Sequence, residues 1–251
     1  MRSGEKADGR VPSLQDGGTG RHVAGATTKP ILFNTEMVRA IQEGRKTATR
    51  RVVKSNKRSL VNKPFQKGDV LWVRETWDFV PCITCRSASE ACELFPVKPD
   101  QMETADGRTD GCFLYRALDG EHPLFDAGHH WRPAIHMPKA AARIFLRVTE
   151  IYWEKLWESF RNRPSPIREL AAEGLPVSET CLKCWREHIY EPCVKRGNLL
   201  CIEQNRMELR FQRLWDSTVR KDRLAADGWA ADPWVWVIRF ERCEKPAGWP
   251  E

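Results

Sequence analysis

The sequence lacks any long apolar run, which excludes an ordinary membrane-spanning helix. No stretch of its 251 residues approaches the ~20 apolar residues that such a helix needs. The first 29 residues also lack the apolar centre of a secretory signal, and they are polar and rich in glycine. We therefore expect a disordered leader over residues 1–29, a cytoplasmic location and no membrane partner.

Acidic residues are nearly missing from one part of the chain. Residues 39–67 contain ten Lys or Arg and a single acid, Glu43, whereas the whole chain has a net charge of +7. The rest of the chain is therefore slightly negative. Such a concentration of positive charge favours a polyanion, so we expect weak, salt-dependent binding of RNA or single-stranded nucleic acid. The residues expected to contact it are Arg50, Lys54, Lys57 and Arg58.

A fully paired set of cysteines is also absent, because the nine cysteines are an odd number. In a chain without an export signal, metal ligation is a better interpretation than a disulfide framework. One group has the spacing of a tetrahedral structural zinc site: Cys181, Cys184, Cys193 and Cys201. A second group could hold another metal: Cys82, Cys85, Cys92 and Cys112. Cross-pairing of the two CxxC units and free thiols are open alternatives, and no organic cofactor is expected.

Hydrophobic patterns predict few helices and several strands. A first helix is expected from Asn34 or Thr35 to about Glu43, with Gly44 ending it. Further strands are predicted over residues 70–77, 142–151 and 234–240, and further helices over residues 165–175 and 207–217. The prediction is an α+β fold built on a small β-barrel, in a domain spanning residues 30–243. Insertions that contain the cysteines are expected at about 81–130 and 176–204, with a tail at 244–251.

The segment GRKTATRR, residues 44–51, raises the question of whether it is a solvated turn or the floor of a site. Thr49 and Arg51 are two positions apart and would share one face of a following strand. In the strand 70–77, Glu75 interrupts an otherwise apolar face, and a buried carboxylate needs a cation. Lys46 and Arg51 are the obvious partners, although a structural salt bridge is an equally good interpretation. Trp77 is expected at the rim of the same pocket.

Several segments, taken in order along the chain, resemble the ASCH domain, a relative of the PUA fold. Residues 44–51 have the form of its G-x-K-x-x-T-x-R signature. Other similar segments are GDVLWVRETW, WRPAIHMPKAAARIFLRVTEI, AAEGL, FQRLWDS and PWVWVIRFE. The resemblance covers most of residues 30–242 and is greatest to ASCH proteins of phages and prophages. It implies a small β-barrel with flanking helices, and a cleft where the signature meets the first barrel strand.

The resemblance also implies a ligand: RNA, single-stranded nucleic acid or a modified nucleobase. Some small bacterial ASCH proteins hydrolyse the acetyl amide of N4-acetylcytidine with a lysine, a threonine and a glutamate. The matching positions here are Lys46, Thr49 and Glu173. A binding module is thus the first interpretation, and an amidohydrolase acting on an acylated nucleobase is the alternative. A structural role in virion assembly, suggested only by a label given to some of these proteins, is a third.

The residue types suit either of the first two interpretations. A threonine hydroxyl becomes a nucleophile when a base removes its proton, and a lysine is a base only when its pKa is lowered. Glu173 could pass a proton to the leaving amine, and Arg51 could hold the oxyanion. Two carboxylates on Lys46, Glu75 and Glu173, would keep it protonated and indicate a binding pocket. Pairing of Glu75 with Arg51 would instead favour catalysis.

Overall fold

A computed structural model of the chain describes residues 27–53, 63–81, 100–104, 107–120, 129–161, 166–177 and 202–250. The first 26 residues of the expected leader lie outside these ranges. So do the cations at 54, 57 and 58 and the four cysteines proposed to bind zinc. Within the described residues, no helix is both long enough and apolar enough to cross a membrane.

The described strands form two sheets. In chain order they are β1 (Thr28–Leu32), β2 (Ala48–Val52), β3 (Val70–Arg74), β4 (Trp77–Pro81), β5 (Asp100–Thr104), β6 (Gly107–Tyr115), β7 (Phe145–Lys155) and β8 (Trp234–Cys243). The first sheet has the order β1-β3-β7-β8-β2, and the second has the order β4-β6-β5. The β1–β3 pair is parallel, and all the other pairs are antiparallel.

Six α-helices are described, and they confirm the α+β class. They are α1 (Thr35–Gln42), α2 (Arg116–Asp119), α3 (Glu158–Arg161), α4 (Pro166–Ala172), α5 (Ile202–Thr218) and α6 (Leu224–Asp227). Asn34 caps α1 as predicted, since its side-chain oxygen accepts from the Met37 N–H at 2.9 Å. Gly44 follows the helix with a φ of 74°, a conformation that glycine adopts readily.

The described strands of the first sheet do not close into the predicted barrel. The edges of this sheet are β1 and β2. The Arg51 guanidinium on β2 nevertheless donates to the Leu32 carbonyl on β1 at 2.7 Å. The two edges therefore lie within one side chain's reach of each other.

The middle of β8 in the first sheet is covered on both faces. Trp236, Ile238 and Phe240 pack with α1 in one apolar core. Val235 and Val237 point the other way, into a core formed with α3, α4 and α5. An alternating strand with two covered faces has no solvated side. Charged residues on its neighbour β2 must therefore find partners within the protein.

The strand predicted over residues 70–77 is divided between the two sheets. β3 ends at Arg74, and Trp77 begins β4. Between them, the Glu75 N–H donates to the Met137 sulfur instead of a strand partner. The single face predicted to hold both Glu75 and Trp77 was therefore wrong. The region expected to be an insertion at 81–130 supplies β5 and β6 of the second sheet.

Candidate functional site

The turn after α1 is hydrogen bonded to the end of α4. The N–H groups of Arg45 and Lys46 both donate to the Ala40 carbonyl, and the Thr47 N–H donates to the Ala172 carbonyl, all at 2.9 Å. Lys46 and Glu173 form an isolated antiparallel bridge. These backbone contacts bring residues that are more than a hundred positions apart in the sequence into one site.

Gly174 allows this close approach. Its φ is 93°, and a Cβ placed on it would lie 2.8 Å from the Ala40 Cβ and 3.1 Å from the Lys46 Cβ. Any other residue would therefore be strained and would push α4 away from the turn. The AAEGL segment requires its glycine for packing as well as for ending the helix.

A buried carboxylate, that of Glu173, joins two buried cations. Its Oε2 accepts from the Lys46 Nζ at 2.7 Å, and its Oε1 accepts from the Arg50 Nη1 at 2.8 Å. The Lys46 Nζ also donates to the Glu173 carbonyl at 2.9 Å. The side chains of Lys46 and Arg50 are completely buried. Both hydrogen bonds from Lys46 thus end on one residue, which it shares with Arg50.

The network continues through a second glutamate. Arg50 Nη2 donates to the Glu169 Oε2 at 2.8 Å, and Arg239 Nη2 donates to the Glu169 Oε1 at 2.6 Å. Glu154 lies 3.9 Å from the Arg50 guanidinium. Arg50 was expected to contact a nucleic acid, but its buried guanidinium is held between carboxylates and cannot reach an external phosphate. That part of the prediction was wrong, because β2 has no solvated face at Arg50.

The protonation tendencies of the site follow from burial and from these contacts. Burial lowers the pKa of Lys46 and outweighs the attraction of Glu173, which raises it; Arg51 and Arg50 act in the same direction as burial. Burial alone would raise the pKa of Glu173, but the attraction of Lys46 and Arg50 and their hydrogen bonds lower it below its usual value. Glu173 is therefore a carboxylate, and Lys46 loses its proton more easily than an exposed lysine.

A small cleft, with a cavity volume of about 20 Å³, lies beside this network. Its lining residues come from α1, β2, the end of α4 and α5: Met37, Thr49, Arg50, Arg51, Glu173, Phe211, Leu214, Trp215 and Thr218. Thr49 is 2% exposed, and its hydroxyl has no hydrogen-bond partner among the described residues. No hydrogen bond joins Lys46 Nζ and Thr49 Oγ1 in the described part of the chain. The structure thus brings Thr49, Arg51 and Glu173 to one cleft, with Lys46 directly behind Glu173.

Arg51 stands at the edge of the same cleft. Its guanidinium lies 5.3 Å from the centroid of the Phe33 ring, and the Lys46 Nζ lies 5.6 Å from the same centroid. In the described part of the chain, Arg51 donates one hydrogen bond, to the Leu32 carbonyl. A guanidinium has five N–H donors, so Arg51 keeps donors that a ligand can use.

Glu75 is not part of this cluster. It is 1% exposed, and Arg143 contacts both of its oxygens at 2.9 Å. Burial raises the pKa of Glu75, although the Arg143 hydrogen bonds and charge act to lower it. The expected pairing of Glu75 with Lys46 or Arg51 was wrong, because Arg143, which lies 68 residues further along the chain, is its partner.

Trp77 also lies away from the cleft. It is 3% exposed and packs in the core of the second sheet with Met137 and Phe79. Its ring centroid is 5.9 Å from that of Phe113. The expected position at a pocket rim depended on a continuous strand from residue 70 to 77, which the chain does not form.

The zinc prediction concerns residues outside the described part of the chain, namely Cys181, Cys184, Cys193 and Cys201. The described residues contain no group of three or more His, Cys, Asp or Glu that could hold a metal ion. Cys243, on β8, is a free thiol.

Three partners of the site were missed from the sequence: Glu169, Arg239 and the face of α5. Glu169 had a usable signal, because it lies four residues before Glu173 and so shares its side of the helix. Arg239 is a charged residue between apolar residues of β8, and this pattern does not predict which carboxylate it contacts. The contribution of α5 depends on tertiary packing and has no local signal.

Comparison of the chain with protein-family models, curated proteins and solved structures gave no match. The candidate function therefore depends on the geometry of the site and on the resemblance of the segments described above.

Proposed function

We propose that the cleft between β2, α1 and α5 binds the base of a modified nucleoside. The observation that carries this proposal is the Thr49 hydroxyl, which lines the cleft and has no partner among the described residues. A hydroxyl that opens on a cleft and has no partner among the described residues favours a ligand with polar edges. The cavity volume is small, about 20 Å³, so we propose that only the polar edge of the base enters the cleft.

The donors and walls of the cleft suit a planar base with polar edges. Thr49 can donate or accept, and Arg51 can donate. Met37 and Leu214 supply apolar walls. A base presents two apolar faces and a polar edge, and a few placed donors fix its orientation in such a site.

The fold and family are part of the proposal. The hydrogen bond from Arg51 to Leu32, which joins the two edge strands of the first sheet, supports a PUA-like architecture. The contacts between the GRKTATRR segment and Glu173 support an ASCH-type site. RNA and single-stranded nucleic acid are the wider ligands proposed, in a protein of phage or prophage type.

Amide hydrolysis is the second candidate function, and a specific observation favours it. Lys46 contacts one carboxylate, Glu173, and no second carboxylate among the described residues. That carboxylate is also held by Arg50. Because Arg50 contacts both Glu173 and Glu169, Glu173 keeps a cationic partner when Lys46 is neutral. A neutral amine could donate its two N–H groups to Glu173, as observed, and keep a lone pair for a proton.

In the proposed reaction, Lys46 removes the hydroxyl proton of Thr49 while the oxygen attacks the acyl carbon of the amide. Arg51 stabilises the oxyanion of the tetrahedral intermediate. The C–N bond then breaks, and the proton returns from Lys46, directly or through Glu173, to the leaving amine. Lys46 then removes a proton from water as the water attacks the acetyl–threonine ester, and returns that proton to the Thr49 oxygen as acetic acid leaves. The first step requires Lys46 and Thr49 to approach to hydrogen-bonding distance.

Both candidates are tested by incubating the protein with N4-acetylcytidine and separating cytidine from substrate by chromatography. Calorimetry with the same nucleoside and with cytidine measures binding. Hydrolysis predicts a loss of ~10²-fold or more in kcat/KM for Lys46→Met and Thr49→Val. Thr49→Ser keeps the hydroxyl and should retain much of the activity, which makes it the matched control.

The outcomes separate the two candidates. Binding without turnover by the wild type would leave the binding site and refute hydrolysis. Turnover by the Thr49→Val variant would refute the role of Thr49 as the nucleophile. If the wild type neither binds nor hydrolyses the acetylated nucleoside, and also binds no other modified nucleoside, the proposed ligand class is wrong.

A further inference from the structure

Two tryptophans at one end of the first sheet are exposed. Trp153 on β7 is 44% exposed and Trp234 on β8 is 41% exposed. Their ring centroids are 4.7 Å apart, with an angle of 64° between the ring planes. Trp153 is opposite Trp236, and Trp234 is opposite Lys155, so the two exposed rings are diagonal neighbours on one face. The pair is a fixed aromatic surface that nothing in the proposed cleft uses.

The charges beside these rings indicate the chemistry of a partner. The Lys155 Nζ lies 5.3 Å from the Trp234 ring centroid. The Val53 N–H donates to the Trp234 carbonyl at 2.8 Å. Two carboxylates lie nearby, but each accepts from a backbone N–H: Glu158 from Lys155 and Asp232 from Trp157.

We propose that Trp153, Trp234 and Lys155 form a stacking surface for single-stranded nucleic acid. Every base has an apolar face that can stack on an indole ring, and phosphates between the bases would be drawn to adjacent cations. Duplex bases are already stacked on one another, so the surface should prefer single strands. This inference does not depend on the chemistry proposed for the cleft.

The test uses the full chain and fluorescein-labelled single strands of about twelve nucleotides, one of uridine and one of thymidine. A duplex of the same length is the comparison, and anisotropy is measured at about 50 and 200 mM salt. Trp153→Leu and Trp234→Leu keep an apolar side chain without an aromatic face, and each should weaken binding roughly tenfold. The matched Phe variants should stay within a few-fold of wild type. Ile135→Ala, which changes another residue that is 59% exposed, should have no effect.

Several results would overturn the proposal. They are no binding of single strands at the lower salt, equal affinity for duplex and single strand, and equal losses in the Leu and Phe variants. Retained affinity for single strands in the double Leu variant would also overturn the proposal. An acidic protein would then be the better candidate partner for the exposed tryptophan pair. Hydrolysis of N4-acetylcytidine should be the same in all four tryptophan variants. The stacking surface and the cleft can therefore fail separately.

Discussion

Replacing Arg50 by glutamine removes a cation that contacts both carboxylates of the buried network. Glu169 and Glu173 each accept from it at 2.8 Å, and its guanidinium lies 4.8 Å from the centroid of the Phe160 ring. The loss would leave Glu173 to Lys46 alone and Glu169 to Arg239 alone. Because the side chains of Glu169 and Glu173 are only 11% and 3% exposed, water cannot fully replace the lost partner.

The expected loss is large and depends on what replaces the arginine. Removing one partner of a buried ion pair costs about 3–5 kcal/mol of unfolding free energy, and we expect Arg50→Gln to fall in that range. Arg50→Lys keeps the charge, but a single ammonium cannot present the planar fork that spans two carboxylates. It should lose one charge-assisted hydrogen bond, about 1.5–3 kcal/mol.

Urea unfolding followed by tryptophan fluorescence at pH 7 measures these differences. Arg220→Gln is the control, because Arg220 is 80% exposed and pairs with Asp222 on the surface; it should change stability by less than about 1 kcal/mol. The double variant Arg50→Gln/Glu169→Gln should lose less unfolding free energy than the sum of the two single losses. The reason is that Glu169→Gln removes a carboxylate that Arg50→Gln leaves without one of its partners. A loss below about 1 kcal/mol for Arg50→Gln at an unchanged m-value would refute the reasoning.

Two further predictions concern acid stability and metal content. The pKa values of Glu169 and Glu173 are lowered from the ordinary value of 4.5, so their charges stabilise the native state above that pH, and this contribution is lost as the pH falls through the native values. Urea unfolding between pH 6 and 3, conducted about every half unit, should show a steeper fall in wild type than in Glu169→Gln; equal slopes would contradict it. Elemental analysis of protein prepared without chelator should find about one zinc per chain, lost when Cys181 and Cys184 become serine. Absence of stoichiometric metal in the wild type would end that hypothesis.

Local patterns were enough to predict the elements that carry the site. Asn34 and Gly44 bound α1 because capping and left-handed turns depend on the nearest residues. The alternation in β8 predicted a strand, since its period does not depend on what covers its faces. The meeting of Lys46 with Glu173 was implied by the resemblance of GRKTATRR and AAEGL to ASCH segments, and no local pattern would have predicted it.

The partners of buried charges were harder to predict because any cation in the chain can compete for a carboxylate. Glu75 was assigned to cations near it in the expected fold, yet Arg143 presents two N–H groups to it in a planar fork. Arg50 was treated as a surface cation because it lies in a basic segment. Its burial follows from the covering of the outer face of β2 by α4 and α5, which is a property of the tertiary fold.

Although Glu75 lies away from the cleft, its pairing affects the chemistry that Lys46 can perform there. Had Glu75 joined Glu173 at Lys46, two negative charges would have kept the amine protonated and unable to act as a base. Glu75 is paired with Arg143, away from the cleft. The Lys46 amine therefore has one carboxylate partner, Glu173, and Arg50 contacts the same carboxylate. Since burial then lowers the pKa of Lys46, the arrangement allows the proton transfer that hydrolysis needs. The expected pairing of Glu75 with Arg51 is not required for it.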